Sequence, residues 1–146
     1  MRQTNKKTFA RIIPTDVAIW SLCVAVLALS VNAFMSQKAE RNLNTRQAAF
    51  ELIMQLGELD NITNQIHYSN VDKDSWRIDG WGNITLIQDL SILLNSRVET
   101  KAKELLSVWQ VHHSDLGESE NTEALTEIRL AIDNLRLEIK NLLKTL

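Results

Sequence analysis

VAIWSLCVAVLALSVNAFM, residues 17–35, is a run of 19 residues without a charged side chain. At about 1.5 Å of rise per residue, a helix of that length covers the ~30 Å hydrocarbon core of a bilayer. Pro14 stands where the first helical turn would open, and Thr15 or Asp16 can cap its orphan N–H groups. Trp20 falls within a turn of that end, at interfacial depth. Ser21, Cys23, Ser30 and Asn32 are the side chains of note inside the run, and hydroxyls there can bond back to the helix. A cleaved signal peptide shares the basic start, and Val31-Asn32-Ala33 is an acceptable cleavage site. The run is longer than a usual signal core and continues through Phe34 and Met35, so we expect a retained transmembrane helix.

Outward from this run the chain divides by charge. Residues 1–35 hold four basic and one acidic side chain, for +3, whereas residues 36–146 hold 12 basic and 17 acidic ones, for −5. We expect three segments: a short basic tail (1–16), the span (17–35) and a helical domain (36–146). Arg2, Lys6, Lys7 and Arg11 precede the span, and Lys38, Arg41 and Arg46 follow it. Four against three places the N-terminus in the cytoplasm and residues 36–146 outside it, in the periplasm of a Gram-negative host.

The 146 residues include one Pro and four Gly, 45% hydrophobic and 23% charged side chains, a composition of long helices rather than of a sandwich or barrel. One cysteine excludes an intramolecular disulfide framework and any CxxC motif. A net charge of −2 is no footprint of nucleic-acid binding.

Within 36–146, Leu52, Leu56, Leu59, Thr63 and Ile66 keep helical spacing, and Phe50, Ile53 and Met54 are read as widening that apolar face. Gly57 and Asp60-Asn61 are possible interruptions. Residues 67–83 (HYSNVDKDSWRIDGWGN) hold two glycines, three aspartates and no helical period, and predict a long connection. Its indoles, Trp76 and Trp81, either close the end of a bundle or present an aromatic contact surface. A helix is expected to resume at Asn83, with Ile87, Leu90, Leu94, Val98, Ala102, Leu105 and Trp109 on one face. Ser96-Arg97-Val98-Glu99 fits a capping box and marks a candidate break at Asn95 and Ser96. Gly117 and the polar run 114–121 predict the next turn.

The last helix has the most regular pattern. Leu125, Ile128, Ile132, Leu135, Ile139, Leu142 and Leu146 alternate steps of three and four, a seam barely three heptads long. Leu130 and Leu137 add apolar area on the far face, which favours burial among neighbours in one chain over pairing with a second chain. The fold expected is therefore all-α: one N-terminal transmembrane helix followed by a membrane-proximal bundle of three to four helices.

Residues that could carry chemistry do not form a site. His67, His112 and His113 lack an HExxH or paired ExxH context, and adjacent histidines point about 100° apart on a helix. Asp72-Lys73-Asp74 opens like a calcium loop, but Trp76 and Arg77 occupy the places of an oxygen ligand and the turn glycine. Gly80-Trp81-Gly82 lacks the remainder of a phosphate loop, and GxSxG is absent. Asn61-Ile-Thr63 and Asn83-Ile-Thr85 match the short glycosylation sequon.

We expect no enzyme, no metal and no cofactor. The expected partners are the lipid bilayer and either another protein or a second copy. The expected role is a non-catalytic interaction or scaffold subunit contacting its partner through Trp76, Trp81 and the seam of Leu125, Ile128, Ile132, Leu135, Ile139 and Leu142. A membrane-anchored sensor or ligand-binding module signalling through a partner is the alternative, as is self-association by coiled coil. The layout resembles the helical ectodomains of bacterial membrane sensors and envelope accessory subunits in architecture alone, which implies no function.

Overall fold

The computed structural model describes residues 15–69, 73–117 and 122–146. Among them the chain is all-helical: α1 (Thr15–Tyr68), α2 (Lys73–Ile92), α3 (Ser96–His112) and α4 (Thr122–Leu143), with a short 3-10 turn at Asp115–Gly117. The chain divides into two compact units, Met1–Glu40 and Arg41–Leu146.

In the first unit the described residues are the opening part of α1, and residues 17–40 are all exposed. α1 is long and apolar enough to cross a membrane. The two hydroxyls of the 17–35 run are satisfied within the helix: Ser30 Oγ donates to the Val26 carbonyl at 2.8 Å, and Ser21 Oγ to that of Ala18 at 3.2 Å. Such back-bonding leaves little unpaired polarity on an exposed apolar helix.

In the second unit four helical segments share one core. α1 contributes Ala49, Leu52, Leu56, Leu59, Ile62 and Ile66, α2 contributes Ile84 and Ile87, and α3 contributes Val98, Ala102, Leu105 and Trp109. α4 closes it with Leu125, Ile128, Ile132, Leu135 and Ile139. Polar ties give the directions. Asn42 Nδ2 donates to the Leu146 carbonyl at 3.4 Å, while Arg129 reaches Asp60 (3.3 Å) and Asn64 (2.5 Å), so α1 and α4 run antiparallel. Asn83 Nδ2 donates to Gln55 Oε1 at 2.8 Å across α1 and α2. Gln88 Nε2 donates to the Ala102 carbonyl at 2.7 Å across α2 and α3. The unit is an up-down-up-down four-helix bundle. One end, here called proximal, gathers Arg41, the α2–α3 turn and the C-terminus of α4; the distal end gathers the ends of α1 and α3 and the starts of α2 and α4.

Four expectations are corrected. Residues 67–83 are not a long connection: α1 continues to Tyr68 and α2 begins at Lys73, ten residues before Asn83. The glycines that suggested a turn lie inside α2, and Gly80 is buried where the Trp109 ring approaches: a methyl there would stand 2.7 Å from Cη2. Phe50 and Met54 do not widen the core face, being 58% and 66% exposed. They sit two positions from Leu52 and Leu56, about 200° around the helix. Neither Gly57 nor Asp60-Asn61 interrupts α1, and Asp60 is used instead to hold Arg129. The helix does break before Ser96, but Asn95 is the cap: its side chain accepts from the Val98 N–H at 2.9 Å. Glu99, the far member of the expected capping box, pairs with Lys103 at 2.6 Å.

Candidate interaction surfaces

Trp76 and Trp81 both belong to α2 and are half-buried against the core. Trp81 meets Trp109 edge-on with centroids 6.4 Å apart, and meets His113 edge-on at 5.1 Å. His113 lies nearly parallel to Trp109, 24° between planes and 6.0 Å between centroids. Its Nδ1 faces the Trp109 carbonyl at 3.0 Å; since a carbonyl only accepts, this nitrogen carries the proton. The three rings thus join α2 to the C-terminal turn of α3 near the distal end. His67 makes a parallel tie on the other side, with Nδ1 donating to the Leu116 carbonyl at 3.2 Å. His112 and His113 sit at the C-terminus of α3, where an imidazole suits the negative end of the helix dipole.

Asp74 pairs with Arg77 at 3.1 Å, and Arg77 also donates to the Ser114 carbonyl at 3.2 Å. Asp72, the first residue of the calcium-like triplet, lies outside the described residues, as does the part of the 114–121 turn from 118 onward. Among the described residues no three His, Cys, Asp or Glu side chains converge on a metal position. Asn83 is only 8% exposed and sits mid-helix, so the second sequon is closed to a glycan in the folded unit.

The α4 seam faces inward. Leu125, Ile128, Ile132, Leu135 and Ile139 are buried, and Leu142 is half-buried against the same core. These residues are engaged by their own chain, whereas Leu130 and Leu137 point to solvent, 54% and 59% exposed.

A surface missed in the sequence lies between α1 and α2. Phe50 and Met54 from α1 and Leu90 and Leu93 from α2 line an open groove of about 540 Å³, with Gln47 and Glu51 on its rim. Sequence spacing held the signal, since Phe50 and Met54 fall off the Leu52–Leu56–Leu59 line. Assigning them outward required knowing the direction of the core.

No protein-family model matches this chain, nor does any curated protein or any solved structure.

Proposed function

We propose that this chain is a single-pass membrane protein that acts as a non-catalytic interaction or scaffold subunit, with its four-helix bundle held beside the bilayer. The observation that carries this reading is the groove of Phe50, Met54, Leu90 and Leu93. Clustered apolar side chains on a soluble surface mark interaction sites, and paired i, i+4 anchors beside a second helix suit an apolar helix from another membrane-associated protein. The uncharged run 17–35 supports the anchor, and the four-to-three charge count supports an N-terminus inside and a bundle outside the cytoplasm.

The test is crosslinking of the tagged full-length protein in cells, followed by purification in mild detergent and mass spectrometry. A stoichiometric second protein is expected, and Phe50→Glu with Met54→Glu should abolish its recovery. Both side chains are exposed, so the melting temperature should not move. Recovery that survives both substitutions, or crosslinks between copies alone, would overturn the reading.

A further inference from the structure

We propose that the proximal end of the second unit is a docking surface for anionic lipid headgroups, an inference that rests on reading residues 17–35 as a membrane span. The second unit is acidic as a whole, with 11 Lys and Arg against 16 Asp and Glu. Ten of these cations have described side chains, and those ten are sorted. Arg77, Lys101, Lys103, Arg129 and Arg136 are each paired with a carboxylate. Arg41, Arg46, Arg97, Lys140 and Lys144 are exposed, and among the described residues none has an ion-pair partner.

All five lie at one end. Arg41 and Arg46 open the α1 segment of the bundle, Arg97 is the second residue of α3, and Lys140 and Lys144 close α4. The Asn42–Leu146 hydrogen bond holds the first and last of these segments together. A concavity lined by Arg97, Thr100, Lys101, Glu104 and Glu138 joins the start of α3 to the end of α4. The acids at this end are Glu51, Asp89, Glu138, Glu99 and Glu104, the last two already held by Lys103 and Lys101. Apolar side chains stand among the cations: Leu43 is 58% exposed and Ile92, at the end of α2, is 66% exposed. Cations surrounding protruding aliphatic groups are the composition of a surface that enters the headgroup layer.

Chain connectivity limits how far Arg41 can stand from the apolar run. Five residues, 36–40, separate the apolar run from Arg41, and fully extended they reach no more than about 18 Å. Arg41, the first of the unpaired cations, therefore stays within about two Debye lengths of the end of the apolar run. A second copy anchored in the same bilayer would offer the same cations at the same height, so like charges oppose that pairing. Anionic lipid is the occupant with complementary charge.

The experiment uses the full-length protein in vesicles of phosphatidylcholine, with or without phosphatidylglycerol, containing headgroup-region nitroxide lipids. In a Cys23→Ser background, a fluorophore is placed at Ile92→Cys (proximal) or Ile78→Cys (distal, 72% exposed). Quenching at position 92 should rise severalfold with phosphatidylglycerol and fall again in high salt, while position 78 stays unquenched. Arg97→Glu with Lys140→Glu and Lys144→Glu should remove the lipid dependence and leave helicity unchanged. Equal quenching at 92 in both vesicle types, or quenching unaffected by the charge reversals, would overturn the proposal. Quenching that follows protein density rather than lipid charge would assign the surface to copies of this chain instead. The anchor is read separately from Cys23 in the wild type, which should resist a membrane-impermeant maleimide in intact vesicles. Labelling there would overturn the span, and the docking proposal with it.

Discussion

Gly57, Gly80 and Gly82 all lie inside helices, yet a methyl group added to each would meet different surroundings. At Gly80 it would stand 2.7 Å from Trp109 Cη2, closer still to Cζ2, and 3.4 Å from Ile62 Cγ2. At Gly57 and Gly82 nothing lies within 4 Å. Replacing a helical glycine by alanine gains about 1 kcal/mol of helix propensity, so sterics decide the sign. Gly82→Ala should raise stability by roughly 0.5–1 kcal/mol. Gly80→Ala should lower it by about 1–3 kcal/mol, because a fully buried indole has nowhere to move. Thermal unfolding of both variants measures the two effects, and a stabilised Gly80→Ala would show that the ring does not rest on that backbone. This pair also explains the misread 67–83 stretch: a glycine that admits a neighbouring ring and a glycine that turns the chain look identical in sequence. The partner that tells them apart, Trp109, is 29 positions away.

Among the helices, regular spacing was legible wherever one face alone is buried. The α4 seam, the α3 face of Val98, Ala102, Leu105 and Trp109, and the α1 line of Leu52, Leu56, Leu59, Thr63 and Ile66 all face the core. The start of α2 was not legible, because aspartates and glycines mask its period, and the groove depended on how α1 and α2 lie together. Helix ends are a local matter, and the α2–α3 break was readable to within one residue. Asn95 has extended backbone angles, φ −126° and ψ 165°, and satisfies the Val98 N–H that would otherwise be an orphan donor. Asn95→Ala should therefore cost about 1 kcal/mol. Ser96→Ala, inside the first turn of α3, should change stability by no more than ~0.5 kcal/mol. Denaturant midpoints of the two variants test the assignment, and a larger loss from Ser96→Ala would return the cap to the capping-box position.

For the molecule as a whole, the open question in the sequence was whether the α4 seam serves one chain or two. The bundle uses it internally: Ile132 is 1% exposed among residues from the other helices, while Leu130 and Leu137 look outward. A carboxylate at position 132 would be a buried charge whose flanking cations, Arg129 and Arg136, are already paired with Asp60 and Asp133, a change of the kind that costs more than about 4 kcal/mol. Domain stabilities are about 5–15 kcal/mol, so Ile132→Asp should unfold much or all of the bundle. Leu130→Asp with Leu137→Asp places charges in water and should leave helicity and melting near wild type. Circular dichroism and sedimentation of the full-length variants in detergent separate the cases. A folded Ile132→Asp monomer arising from a wild-type dimer would make the seam intermolecular. Loss of helicity at position 132 alone, with both outward substitutions tolerated, makes it the core of a bundle complete in one chain. In that case the groove and the basic end are the surfaces left free for partners.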